Sequence, residues 1–69
     1  MELMNRVKVW RAQADVTQEK LAHAIGVSRQ TIHSVERGKF VPSVVIALKM
    51  ARFFKTDVEH VFFLAGDEK

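Results

Sequence analysis

The segment Thr17–Phe40, TQEKLAHAIGVSRQTIHSVERGKF, decides the fold. It holds two short helical patterns end to end, separated by Gly26-Val27-Ser28. Thr17 is placed to cap the first, because its hydroxyl can accept an otherwise unpaired N–H of the opening turn, and Gln18 and Glu19 fill that turn. Leu21, Ala22 and Ile25 form its apolar stripe. Gly26, which adopts a left-handed backbone at no steric cost, is its expected C-cap. Ser28 caps the second pattern, whose inward stripe is Ile32, Val35 and Glu36 and which Gly38 ends. The turn is too short for the two helices to lie parallel, so they must cross steeply. The second helix then carries Arg29, Gln30, His33 and Ser34 on the face away from its apolar stripe. Long forked donors at the entering end of a helix suit base reading in a DNA major groove. Arg can bond bidentately to guanine O6/N7, and Gln to adenine N6/N7.

Outward from this segment, Asn5–Ala14 reads as helix 1, with Val7, Trp10 and Ala14 on one face. Asp15 is expected to end it, since Asp tolerates a left-handed backbone better than most residues. After the loop Lys39-Phe40-Val41-Pro42, Ser43 caps a helix from Val44 to Phe54. The spacing predicts burial of Val44, Ala47, Leu48, Ala51 and Phe54, with Ile46, Met50 and Phe53 as a second apolar stripe. Thr56 and Glu59 have the spacing of a capping box for a short helix 5. The run Val61-Phe62-Phe63-Leu64 loses helical periodicity and favours strand. No repeat or linker interrupts the chain, so residues 1–69 form one domain, with the helix-turn-helix at about 17–37.

Sixty-nine residues build only a modest core, and no cysteine is present to staple it. A second copy of the chain is the remaining supplement. No apolar run approaches the roughly 18 residues of a membrane span, and MELMNRVKVW lacks the pattern of a signal peptide. A soluble cytoplasmic protein with no membrane partner is expected. The formal net charge of +3 is unevenly spread. Asn5–Lys55 holds ten Lys or Arg against Asp15, Glu19 and Glu36 alone; from Thr56 on, Asp57, Glu59, Asp67 and Glu68 oppose only Lys69. A basic body suits a polyanion, and the acidic tail should face away from it. His23, His33 and His60 lack metal-ligand spacing, no Gly-rich phosphate loop occurs, and Ser28 is a cap, not a nucleophile. No catalytic residue, metal, cofactor or small-molecule ligand is expected.

Arg11, Thr17-Gln18, Leu21-Ala22, Ile25-Gly26-Val27-Ser28, Gln30-Thr31-Ile32, Glu36-Arg37-Gly38-Lys39 and Pro42-Ser43 together resemble the Cro/cI-type, or Xre-like, helix-turn-helix regulators. The pattern Pro42-Ser43, Ala47-Leu48, Ala51, Phe54, Val58-Glu59, Val61-Phe62 is similar to small stand-alone members such as the cytolysin repressor. The family usually has Gly where this chain has Asp15. The resemblance implies an all-α, five-helix, lambda-repressor-like domain with an optional short two-stranded β-sheet at its termini. It implies a transcriptional regulator, a repressor in the first instance, that binds double-stranded DNA as a homodimer at an inverted repeat. Arg29, Gln30 and Ser34 would read bases, with the preference at His33 open. Gln18, Ser28, Thr31, Arg37 and Lys39 would hold phosphates, and Arg11 and Glu36 would form a structural salt bridge between helices 1 and 3. An antitoxin, or a protein-interaction module of the same fold, is the alternative function.

Phe53, Val61, Phe62, Phe63 and Leu64 exceed what one small core needs. An apolar patch of that size usually marks an interface, so a dimer through the segment 56–66 and part of helix 4 is expected. The terminal run is expected to pair as a strand with Glu2–Met4.

Overall fold

Asp15 at φ 57° and Gly26 at φ 80° turn the chain out of its first two helices, each through a left-handed residue. The computed structural model describes residues 2–67. Met1, Glu68 and Lys69, and with the last two the end of the acidic tail, lie outside the described residues. The element order is β1 (Leu3–Asn5), α1 (Val7–Ala14), α2 (Gln18–Ile25), α3 (Arg29–Glu36), α4 (Val44–Phe53), α5 (Val58–Val61) and β2 (Phe62–Leu64). Thr17, Ser28 and Ser43 each accept a backbone N–H three residues on, at 3.0–3.2 Å, and so start α2, α3 and α4. Among the described residues no helix is long and apolar enough to cross a membrane.

β1 and β2 pair antiparallel, with Leu3 opposite Leu64, Met4 opposite Phe63 and Asn5 opposite Phe62. Asn5 therefore belongs to the strand and not to helix 1. Its side chain still serves the helix: Asn5 Oδ1 accepts the Val7 N–H at 3.1 Å, while Nδ2 donates to the Val35 carbonyl at 2.9 Å. One side chain thus starts α1 and ties it to the end of α3. The Arg6 guanidinium lies 4.2 Å from the Phe63 ring centre, a cation–π contact on the outer side of the sheet.

The core is Val7, Leu21, Ala22, Ile25, Ile32, Val35, Met50, Ala51, Val61 and Phe62. Three expectations are corrected here. Val44 and Leu48 are 74% and 53% exposed, whereas Met50 is fully buried. Helix α4 carries apolar residues on both stripes, and its packing on α2 and α5 selects the Met50–Ala51 side. Val61 and Phe62 are enclosed by the chain's own core and present no face to a partner. Ala14 of the expected α1 stripe is exposed, and Trp10 is half-buried. Its indole N–H donates to the His60 carbonyl at 2.9 Å and its ring packs on Phe54, which Phe53 meets edge-on.

The capping box at Thr56 does not form. Lys55, at φ 59°, closes α4, and the N-cap of α5 falls on Asp57, one residue later. The Thr56 hydroxyl bonds His60 Nδ1 at 2.8 Å instead.

Candidate nucleic-acid interface

Ile32 and Val35 anchor α3 in the core, which turns positions 29, 30, 33 and 34 to the opposite side. Arg29, Gln30 and His33 are exposed and Ser34 is half-buried. Gln30 Nε2 donates to Ser34 Oγ, one turn on, at 3.4 Å. The Ser28 and Thr31 hydroxyls lie 2.9 Å apart at the helix start. The Arg29 side chain makes no ion pair among the described residues. Arg37 and Lys39 are exposed immediately after α3, where Gly38 at φ 75° turns the chain.

Glu36 is the one acid in α3, and its placement decides the electrostatics of that helix. Arg11 Nε donates to Glu36 Oε2 at 2.5 Å, and Nη2 donates to Oε1 at 3.1 Å. Only 6% of the Glu36 side chain and 15% of the Arg11 side chain are exposed. Arg11 Nη1 also donates to the Val16 carbonyl at 2.9 Å. A bidentate pair with this little solvent neutralises the carboxylate, so the outward face of α3 keeps one cation and neutral polar groups, with no free carboxylate.

Gln18 joins this pair to the outward face. Its Nε2 donates to Glu36 Oε1 at 3.0 Å and lies 3.4 Å from His33 Nδ1. Sequence reasoning missed this link, because no periodicity relates the first residue of α2 to α3. Thr17, Gln18, Glu19, Arg11 and Arg29 together line a shallow cleft beside the N-terminus of α2. Backbone N–H groups and the helix dipole make such an end hospitable to an anion.

The sequence pattern of the helix-turn-helix family matches residues 7–61, four-fifths of the chain. An uncharacterised HTH-type transcriptional regulator of Methanocaldococcus jannaschii is 46% identical over 66 residues, covering 96% of this chain and 100% of its own length.

This chain belongs to the Xre-like helix-turn-helix transcriptional regulators.

A second such regulator, from Bacillus subtilis, is 44% identical over 62 residues, 90% of this chain and 94% of its own length. Among solved structures, the restriction-modification controller protein C.AhdI of Aeromonas hydrophila superposes with a TM-score of 0.73 at 30% identity. That match covers 78% of this chain and 82% of the controller. A candidate DNA-binding protein of Bacteroides fragilis superposes with a TM-score of 0.81 at 30% identity, covering 88% and 98%. In this Xre-like regulator α2 and α3 form the helix-turn-helix, and the short β-sheet closes the termini.

The Glu36 network gives the regulator a defined acid response. Burial alone pushes the Glu36 carboxyl up; hydrogen bonds from Arg11 and Gln18, with the charges of Arg11 and Lys8, outweigh it and hold the carboxyl below its ordinary 4.5. The folded state therefore takes up this proton less readily than the unfolded chain. The contribution is complete above about pH 4.5 and is lost as pH falls through the lowered value. Glu36→Gln should flatten the acid limb of the stability curve, measured by urea unfolding between about pH 6 and pH 3. Parallel curves for the two proteins would contradict this.

Proposed function

We propose that the protein is a sequence-specific repressor that lies on an inverted-repeat operator as a homodimer, with α3 of each copy in the major groove. One observation carries this: the outward face of α3 presents Arg29, Gln30, His33 and Ser34, while the only acid of that helix is paired inward with Arg11. Arg29 reads guanine and Gln30 reads adenine, with His33 and Ser34 beside them. Gln18 with the α2 N-terminus, Ser28, Thr31, Arg37 and Lys39 hold the flanking phosphates and set the register. Two copies are needed because one short helix reaches few base pairs. Half-sites about 34 Å apart place both helices on one side of the duplex. Repression follows from occupying a promoter in the cytoplasm.

Selection from random DNA should return an inverted repeat whose half-sites are one helical turn apart. Lys39→Ala should weaken binding to all sequences alike and lower the slope of log affinity against log salt by about one per bound copy. Selection that enriches no sequence, together with an unchanged salt slope, would refute the proposal.

A further inference from the structure

The side chain of Gln18 leads from the buried ion pair to the outward face of α3. Its Nε2 donates to Glu36 Oε1 at 3.0 Å and lies 3.4 Å from His33 Nδ1. The direction of both contacts is settled at the Glu36 end. Glu36 is ion-paired with Arg11, and an ionised carboxylate only accepts hydrogen bonds. Turning the Gln18 amide round would set its carbonyl oxygen against Glu36 Oε1, acceptor against acceptor. The amide therefore shows an N–H to His33, and Nδ1 is the ring nitrogen without a hydrogen. A neutral imidazole carries one N–H, so its hydrogen sits on Nε2. His33 is exposed, and among the described residues its Nε2 has no hydrogen-bond partner. From this relay we infer that His33 is a specificity-determining residue that presents a fixed Nε2–H donor to a base edge in the major groove, and that Gln18 is the residue that positions it. The inference rests on the DNA reading proposed above.

A fixed donor narrows the choice of base. In the major groove guanine offers two acceptors, O6 and N7, and no donor, whereas cytosine offers only its N4 donor. Adenine sets an amino group beside its one acceptor, and thymine sets a methyl group there. A single N–H thus favours guanine and rejects cytosine on the strand it faces. An imidazole free to change tautomer could offer a bare Nε2 and accept from cytosine or adenine, so the choice is made by Gln18. The neighbours agree with a donor role. Arg29 one turn before and Arg37 one turn after are both exposed, so three donor side chains stand in a row. Four helical residues advance about 6 Å, roughly two base steps. The pair read by His33 therefore lies about two steps from the one read by Arg29. Glu36 and His33 engage both hydrogens of the Gln18 amide, so a phosphate beside α2 is left to the backbone N–H groups of that helix end.

Two measurements on the full chain test this. Nitrogen-15 NMR at about pH 8, above the ordinary imidazole range, reads the tautomer without DNA. Wild-type His33, assigned by its absence in His33→Ala, should carry its hydrogen on Nε2 alone. Gln18→Met should shift it toward the mixed ratio of the exposed His23. Gln18→Ala serves if that variant fails to fold. Selection from random DNA should show guanine at one further pair per half-site, beyond those set by Arg29 and Gln30. His33→Ala should lose that preference, with affinity for the selected operator down about fivefold per half-site, and Gln18→Met should weaken it while His33 is still present. A hydrogen on Nδ1 in the wild type, or a Gln18 substitution that moves neither tautomer nor preference, overturns the inference. So does a His33→Ala that weakens all sequences alike, which would make His33 a phosphate contact. A wild type that enriches no sequence removes the proposed function and this base contact with it. An inverted repeat that His33→Ala selects unchanged removes this contact alone.

Discussion

Arg11→Ala is expected to destabilise the domain by about 3 kcal/mol, the lower end of the range for breaking one half of a buried ion pair, because this pair is only partly buried. The substitution removes both contacts to Glu36 and the donor to the Val16 carbonyl. Gln18 remains as a partner of a carboxylate that is 6% exposed, and an amide does not replace a guanidinium charge. A chain of 69 residues is stable by only about 3–10 kcal/mol. The loss is therefore a large share of the total, and the melting midpoint should fall by on the order of 20 °C. Arg11→Met combined with Glu36→Leu should regain much of the stability, since no buried charge is then left unpaired. Urea unfolding of the two single variants and the double variant measures this as a cycle. A loss under about 1 kcal/mol for Arg11→Ala would mean that the pair behaves as an exposed one.

Arg29→Ala should leave the fold intact and alter what the protein recognises. Arg29 is exposed and outside the core, so its removal should change stability by less than about 0.5 kcal/mol. A bidentate contact to guanine discriminates by about 1–3 kcal/mol, and a dimer makes it twice. Affinity for the selected operator should drop about 30-fold or more, while affinity for unrelated DNA falls only by the loss of one charge per copy. Repeating the selection with the variant should flatten the preference at one base pair in each half-site. A variant that keeps the full preference would remove Arg29 from the reading residues and assign its charge to phosphate contact. Comparing it with Lys39→Ala separates the two roles, because a phosphate contact changes the salt slope and leaves the preferred sequence alone.

The helix-turn-helix was legible because its signals are local. Thr17, Ser28 and Ser43 cap helices through bonds to residues three positions on, and Asp15 and Gly26 end helices through their own backbone angles. The stripes Leu21-Ala22-Ile25 and Ile32-Val35 each have one apolar side, so their facing was settled by spacing. The candidate reading residues follow from that facing, since they are what remains on the other side of α3. Glu36 was harder, because a charge near an apolar stripe has meaning only once its partner is named; here resemblance supplied Arg11.

What the sequence determined by itself is the set of elements, the N-caps of α2, α3 and α4 and the outward chemistry of α3, because each depends on residues within a turn of one another. Only the tertiary structure decided which stripe of α4 is buried and whether Val61 and Phe62 close the core or leave it open. Both stripes of α4 are apolar, so burial energy along the helix is nearly the same for either, and the shape offered by α2 and α5 makes the choice. The same packing exposes Val44, Val45 and Leu48, and it ties Gln18 to Glu36 and brings it beside His33 across 15 to 18 residues of chain.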